Sequence, residues 1–180
     1  MNNYQQYIKV VPDFPQKGIN FLDITPLLLR ADVFDGICEE IKNVVAEYNP
    51  DVIIAPESRG YLFGAPVAKE LKKGLYMLRK SGKLPNDGSQ ITFAADKEYG
   101  TSEFAVNLND FEFLKQQKLT DVVIIDDVLA TGQTLLGIAD FYRSNGFNVK
   151  AVITVINIAE VGGMGLLTDN GYKVHAIINV

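Results

Sequence analysis

The stretch that most constrains the fold runs from Val122 to Thr134, where a strand pattern passes directly into a helical one. Residues 122–125 are β-branched and apolar, which predicts a strand buried on both faces. Asp126 and Asp127 stand at its carboxyl end, and the turn 130–134 begins the helix. Ligands of open α/β sheets bind beyond the carboxyl ends of the strands, and a helix N-terminus favours an anion. The sequence therefore predicts a phosphate site with two carboxylates beside it.

The two carboxylates restrict the ligand further, because adjacent acids would repel a bare phosphate. A ribose 5-phosphate satisfies both features: its phosphate binds the turn, and its 2′- and 3′-hydroxyls bind Asp126 and Asp127. The same acids can order a hydrated Mg²⁺ carried by the leaving group of the sugar, with no direct protein ligand. No Gly-Lys-Ser/Thr follows, so this is not a Walker loop. The predicted phosphate-binding residues are Ala130, Thr131, Gly132, Gln133 and Thr134.

This order of residues, from the apolar strand through Asp-Asp to Ala-Thr-Gly-x-Thr, resembles the phosphoribosyl pyrophosphate (PRPP) signature of type I phosphoribosyltransferases. From the residues alone, the alternative is a buried strand followed by a solvated acidic turn. Gln133 stands where the family usually has a second glycine. The resemblance implies the type I phosphoribosyltransferase fold, an α/β domain whose mostly parallel central sheet is flanked by helices.

Composition narrows the classes of function. A chain of 180 residues with 47% hydrophobic and 22% charged residues predicts a single domain, 1–180, with a sizeable core. A net charge of −5 argues against nucleic acid as a partner. The single cysteine, Cys38, predicts a core thiol in a reducing cytosol. No secretory pattern or apolar run of membrane-spanning length is present, so a cytoplasmic protein is expected.

Residues 11–28 contain three prolines and predict an ordered, non-helical cover. The runs Pro-Asp-Phe-Pro-x-x-Gly-Ile and Phe-x-Asp-Ile-Thr-Pro-Leu resemble the opening of adenine phosphoribosyltransferases. The resemblance implies a hood over the purine with Phe21 stacked on the base; plain core packing is the alternative for that ring. Leu22 stands where relatives carry Arg or Lys. Recognition of the base through the main chain would survive that change, whereas recognition through a side-chain charge would leave adenine specificity open.

A second strand-to-helix turn, 56–61, follows a predicted buried strand at Asp51–Ala55. Arg59 lies in this turn, where a guanidinium can bind a diphosphate bidentately. Glu-Ser-Arg-Gly resembles the pyrophosphate loop of the family, which implies that Ser58 and Arg59 bind pyrophosphate and that the peptide before Ser58 is strained. A surface arginine after a strand is the alternative.

Residues 79–103 begin with three cations within five positions and are rich in small polar residues, which predicts a long flexible loop. Arg-Lys-x-Gly-Lys-Leu-Pro and the later Glu-Tyr-Gly resemble the mobile catalytic loop of adenine phosphoribosyltransferases. The resemblance implies that Arg79 and Lys83 bind the diphosphate, that Glu98 handles the proton of the purine, and that Tyr99 covers the reacting centre. From its own context, Glu98 reads as a solvated loop acid.

The other elements alternate between helices and buried strands, as an α/β domain requires. Two positions after the strand near residue 150 depart from the family, since Asn157 and Met164 replace an expected Glu and Arg. His175, the only histidine, falls in an apolar strand and is interpreted as structural, which excludes His-based triads. The predicted elements are a helix from Val33 to about Tyr48 capped by Asp32, strands at Gly74–Arg79, Phe104–Leu108, Asn148–Ile158 and Lys173–Ile178, and short helices at Asp110–Gln117 and Met164–Thr168.

The resemblance as a whole implies an adenine phosphoribosyltransferase of purine salvage, which converts adenine and PRPP to AMP and pyrophosphate with Mg²⁺. Phe21 and Leu129 would then sandwich the base. It also implies a homodimer, with small molecules rather than nucleic acid or membrane as partners. The alternatives are a phosphoribosyltransferase for hypoxanthine, guanine or xanthine, and a non-catalytic regulator that binds PRPP.

Overall fold

The computed structural model describes residues 3–85, 87–96 and 101–180. Short 3₁₀ turns at Tyr4–Tyr7 and Ala159–Val161 accompany the regular elements. The strands are β1 Lys9–Val11, β2 Phe21–Asp23, β3 Val52–Pro56, β4 Gly74–Lys80, β5 Gln90–Asp96, β6 Thr101–Asn107, β7 Asp121–Leu129, β8 Asn148–Asn157 and β9 Val174–Asn179. The helices are α1 Thr25–Leu28, α2 Ala31–Tyr48, α3 Gly60–Leu71, α4 Leu108–Gln116, α5 Gln133–Ser144 and α6 Gly163–Asp169.

The central sheet has the strand order β5-β6-β4-β3-β7-β8-β9. The strands from β4 to β9 in that order are parallel, while β6 pairs antiparallel with both β4 and β5. The sheet is therefore mostly parallel with one antiparallel edge, and the predicted fold class is confirmed. A separate two-stranded sheet pairs β1 with β2.

Helices cover both faces of the sheet, and β7 shows why its apolar run is continuous. Val123 and Ile125 point into one core cluster, which α2 and α3 cover, while Val122 and Ile124 point into the other, which α4 and α5 cover. All four side chains are fully buried. Cys38 packs against the first cluster, and burial raises the pKa of its thiol to about 11, as expected of a core cysteine.

The predicted non-helical cover at 11–28 is wrong in one part, because Thr25–Leu28 forms the short helix α1. Pro26 lies at the start of that helix, where a residue without an N–H loses no hydrogen bond. The rest of the segment is ordered by strand pairing of Val11 with Phe21 and by burial of Ile24.

The predicted long loop at 79–103 is also wrong over much of its length, because β5 and β6 form an antiparallel ladder from Gln90–Asn107 to Asp96–Thr101. Alternate residues of β5, Ile91, Phe93 and Ala95, pack toward the second core cluster. The Phe93 ring stacks on Phe141 of α5, with centroids 3.8 Å apart. This period of two was present in the sequence, but the polar residues around it obscured it.

Two predicted helix starts are wrong by two residues. Helix α2 begins at Ala31 and has no side-chain cap, so Asp32 lies within the first turn, where the helix dipole favours an acid. Helix α4 begins at Leu108, and its cap is Asn107, whose side chain accepts a hydrogen bond from the Asn109 N–H at 2.8 Å. The part of the chain that the structure describes contains no helix both long and apolar enough to cross a membrane.

Candidate active site

A cavity of about 310 Å³ opens at the carboxyl ends of β3 and β7, at the edge of the sheet where the sequence predicts a ligand. The two strand-to-helix turns form most of its wall, and β4 and β6 complete it. The residues that line it are Pro56, Glu57, Ser58, Arg59, Lys80, Ser102, Phe104, Asp126, Asp127, Val128, Leu129, Ala130, Thr131, Gly132, Thr134 and Leu135.

The turn after β7 contains two main-chain N–H groups that have no main-chain acceptor within the described part of the chain. Gly132 has φ +80° and precedes α5 without a side-chain cap. Its carbonyl oxygen accepts the first helical hydrogen bond, from the Leu136 N–H at 2.8 Å. The N–H groups of Thr131 and Gly132 donate to no main-chain carbonyl within the described residues. Unpaired donors at the positive end of a helix suit an anion such as a phosphate.

Asp126 and Asp127 lie at the floor of the cavity, and they interact with each other. The Asp127 N–H donates to Asp126 Oδ1 at 2.9 Å. Loss of solvent, and then the charge of Asp127, raise the pKa of Asp126 well above its usual value. Burial also raises the pKa of Asp127, against the opposing effect of Arg59. Burial disfavours the ionised form of both carboxylates. A ligand that donates hydrogen bonds to them stabilises that form, so the site favours a ligand with such donors.

Arg59 links the two turns across the cavity. Its Nε lies 2.8 Å from Asp127 Oδ2, although Asp127 is only 4% exposed. The geometry is that of an ion pair rather than a hydrogen bond, so Oδ2 has no donor among the described residues. A buried carboxylate oxygen without a donor calls for one from a ligand, such as a sugar hydroxyl.

Glu57 fixes the turn after β3 to the neighbouring strand. Its carboxylate accepts hydrogen bonds from the Lys80 N–H at 2.9 Å and from Arg79 Nε at 3.2 Å. The Lys80 N–H is the main cause of the lowered pKa of Glu57. The Glu57–Ser58 peptide bond is cis. Arg79 is thus engaged with Glu57, while the next residue along the strand, Lys80, lines the cavity.

The hood lies beside Arg59. The Phe21 ring is 5.5 Å from the Arg59 guanidinium and meets the Phe14 ring edge-on at 5.2 Å. The Leu22 side chain is buried in the first core cluster and is not available to a ligand. If Leu22 recognises a base, it must therefore do so through its main chain, and the flat ring of Phe21 is the side-chain group that the hood offers.

The remaining predicted residues are distributed as follows. Leu129 is buried and lines the cavity, whereas Gln133 and Lys83 are exposed and lie outside its lining. Glu98 and Tyr99 lie outside the described residues. The sequence analysis counted Lys80 among the three cations of the loop but did not select it as a site residue. It missed the contribution of β6, because the antiparallel pairing that brings β6 to the site was not predicted.

Comparisons with known proteins agree with this geometry. Residues 23–165 match the family model described as the phosphoribosyl transferase domain. The adenine phosphoribosyltransferase of Methanococcus maripaludis strain C7 is 37% identical over 171 residues, which cover 95% of this chain and 94% of that protein. The crystal structure of adenine phosphoribosyltransferase from Thermoanaerobacter pseudethanolicus is 34% identical with a TM-score of 0.82, covering 98% of this chain and 97% of that one. The chain belongs to the adenine phosphoribosyltransferase family.

A further structure of an adenine phosphoribosyltransferase, that of Giardia lamblia in complex with 9-deazaadenine, has a TM-score of 0.86 at 29% identity and covers 99% of this chain and 96% of that one. Against this family pattern, the two departures, at the end of β8 and in α6, have internal roles. Asn157 is buried, and its amide Nδ2 donates to Asn179 Oδ1 at 3.0 Å. Met164 packs against the second core cluster. Both replacements therefore join β8, β9 and α6 to the body of the domain.

Proposed function

We propose that this cavity transfers the 5-phosphoribosyl group of PRPP to adenine and releases AMP and pyrophosphate, a pentosyl transfer of purine salvage. The observation that carries the proposal is the convergence of Arg59, Asp127 and the turn 130–134 on one cavity. Each offers what a different part of PRPP requires: a cation for the diphosphate, an acceptor for the hydroxyls and main-chain donors for the 5′-phosphate.

The sugar is held by the residues at the end of β7. Its 5′-phosphate accepts hydrogen bonds from the main chain of Thr131 and Gly132, and Thr134 lines the same end of the cavity. Its hydroxyls donate to Asp126 and Asp127, which supplies the donor that Asp127 Oδ2 lacks. Both acids lie close to the ring as positive charge develops on its C1, and they stabilise that charge.

The diphosphate leaves toward the turn after β3. Arg59 and Lys80 face the cavity there and neutralise the charge that grows as the bond from C1 to the diphosphate oxygen breaks. Mg²⁺ would fit beside Asp126 and Asp127, because carboxylates that line the cavity could accept hydrogen bonds from the water shell of the ion. When bound, the ion supplies further charge neutralisation to the diphosphate.

The base binds between the hood and the end of β7. By resemblance to the family, Phe21 and Leu129 would sandwich the base; in this structure the Leu129 side chain is 1% exposed, and Phe21 lies outside the lining of the cavity. N9 of the base forms the new bond to C1 of the sugar, and the base gives up a proton. By resemblance to the family, Glu98 handles that proton and Tyr99 covers the reacting centre. Lys83 adds a cation to the closed loop. Gln133 belongs to the turn 130–134, which binds the 5′-phosphate.

A homodimer in the cytoplasm is part of the proposal. Large apolar side chains are exposed on α3 and β4, namely Leu62, Leu75 and Met77. Exposed apolar surface on neighbouring elements favours association with a second copy. Sedimentation equilibrium tests this: a species of twice the 19.9 kDa chain mass is expected, and a monomer at assay concentrations would contradict it.

Competition among adenine, hypoxanthine, guanine and xanthine in one PRPP-dependent assay tests the activity. Adenine offers a donor where the 6-oxo purines offer an acceptor, so discrimination of roughly 10⁴-fold in kcat/KM for adenine is expected from a site that hydrogen-bonds this group. Preference for another base would replace adenine in the proposal. Binding of ribose 5-phosphate without turnover of any base would favour the alternative function, a non-catalytic regulator that binds PRPP.

A further inference from the structure

Gly163 is buried at the start of α6, and its main chain lies directly against the turn 130–134, called the phosphate turn below. A Cβ at Gly163 would overlap the carbonyl oxygen of Ala130 and would lie 2.8 Å from the Gly132 nitrogen. A Cβ at Gly132 would in turn lie 2.8 Å from the Gly163 carbonyl oxygen. The two glycine backbones therefore pack on each other with no room for a side chain on either.

The chain after β8 brings Gly163 to this place by fixed steps. The Ile158 N–H donates to the Leu129 carbonyl at 2.9 Å, which holds the end of β8 beside the end of β7. A 3₁₀ turn follows, and Gly162, with φ +83°, reverses the chain into α6. Leu167 of α6 is completely buried in the second core cluster. The start of α6 is therefore anchored on both sides of its contact with the phosphate turn.

We infer that Gly163 is a positioning residue for the 5′-phosphate, an inference that rests on the proposed function. Its main chain supports the turn from behind and sets the direction of the Thr131 and Gly132 N–H groups. Those two groups donate to no main-chain carbonyl among the described residues, so no main-chain hydrogen bond of their own fixes their direction. A displacement of about 1 Å at such a site is enough to cost on the order of 10²-fold in function.

Gly163→Ala tests the inference, and Gly165→Ala is its matched control. Both glycines lie in α6, neither has a left-handed φ, and alanine improves the helix propensity at both. A Cβ at Gly165 would meet nothing within 4 Å. Calorimetry should show that Gly163→Ala raises the Kd of ribose 5-phosphate at least tenfold while the Kd of pyrophosphate changes less than twofold. Gly165→Ala should change neither by as much as twofold.

Each other outcome is informative. Unchanged binding of ribose 5-phosphate by Gly163→Ala, or an equal loss for both ligands, would overturn the positioning role. Failure of the unmodified protein to bind ribose 5-phosphate would instead refute the proposed function. If Gly163→Ala does not fold, hydrogen exchange of the unmodified protein decides: ribose 5-phosphate should slow exchange in residues 159–168 at least threefold, and unchanged exchange there would overturn the inference.

Discussion

Two strand-to-helix turns line the cavity, and they differ both in backbone conformation and in the chemical groups that they present. One joins β3 to α3 and the other joins the neighbouring parallel strand β7 to α5. Neither helix has a side-chain cap. The first turn presents the guanidinium of Arg59, whereas the second, 130–134, has no cationic residue and presents main-chain donors.

The difference follows from what each end of PRPP does in the reaction. The 5′-phosphate keeps its charge from substrate to product, so uniform binding by main-chain donors is sufficient. The diphosphate gains charge as its bond to the sugar breaks, so a cation placed there acts mainly in the transition state. Changes in the first turn should therefore lower kcat, and changes in the second should raise KM.

Glycine serves the two turns for different reasons. A Cβ at Gly60 would lie 2.8 Å from the Ile125 carbonyl oxygen and 3.2 Å from Asp126 Oδ1, so this glycine makes room for the acid pair. Gly132 is required by its left-handed φ as well as by its contact with Gly163. One position is limited by space alone, the other by backbone conformation and space together.

The largest effect is expected for Arg59→Ala, which removes the cation of the first turn and leaves Asp127 buried without a counter-charge. We expect kcat/KM for PRPP to fall about 10³-fold, or about 4 kcal/mol, with most of the loss in kcat. Arg59→Lys should recover part of the rate, because it restores the charge without the planar fork. Initial rates at varied PRPP measure both.

Arg143→Ala is the control for that loss, since Arg143 is exposed at the far end of α5 and pairs with Asp140. It should retain full activity. A loss below tenfold for Arg59→Ala, or one that appears in KM alone, would erase the distinction between the two turns.

A smaller effect is expected for Asp127→Asn, which keeps the size of the side chain but removes a charge from the sugar end. We expect turnover to fall at least tenfold, or about 1.4 kcal/mol, because the amide neither stabilises positive charge on the ring nor accepts at both oxygens. Asp169→Asn, an exposed change of the same kind on α6, should have no effect. Wild-type turnover by Asp127→Asn would remove the ribose role.

The sequence was sufficient to predict the second turn, because an apolar strand, two acids and a glycine-containing turn lie within thirteen consecutive residues. The first turn was predicted from Arg59 and its neighbours in the same way. Both sites depend on contacts between residues close in sequence, and the parallel sheet then places them together.

Long-range pairing accounts for what was missed. Phe104 and Ser102 reach the cavity only because β6 pairs antiparallel with the end of β4. Arg79 binds Glu57, more than twenty residues away, whereas Lys80, the next residue of β4 and therefore on the opposite face, lines the cavity. The contact of Gly163 with Gly132 likewise depends on how α6 returns over the sheet. No local pattern encodes such contacts.

Asp126→Asn separates the contribution of the acid pair at the end of β7 to stability from its contribution to function. The pKa of Asp126 is raised, so the folded protein disfavours the charged form of this side chain. The stability of the wild type therefore falls as the pH rises above the pKa of an aspartate in the unfolded chain, near 3.9. The variant should therefore be more stable than wild type at pH 7, and the difference should disappear near pH 3. Thermal unfolding at several pH values measures the difference, and activity should fall.

The amide that Asp126→Asn introduces retains an acceptor oxygen for the Asp127 N–H, so loss of that hydrogen bond does not complicate the comparison. A variant less stable than wild type at pH 7 would show that the acid pair stabilises the fold rather than straining it for function.

The smallest effect is expected for Glu57→Gln, which tests how the first turn is held. Glu57 has a lowered pKa, so the stability it contributes is present above its unfolded pKa near 4.3 and is lost as pH falls through the folded value. Urea unfolding should show a loss of about 0.5–1 kcal/mol at pH 7, in the range of a partly exposed ion pair, and little difference near pH 3. Glu160→Gln, an exposed change, serves as control.

High salt should reduce the loss of stability in Glu57→Gln, because salt screens the ion pair between Glu57 and Arg79. The effect of Gly163→Ala on the second turn should persist. Equal salt dependence in both turns would mean that they are held by the same kind of force.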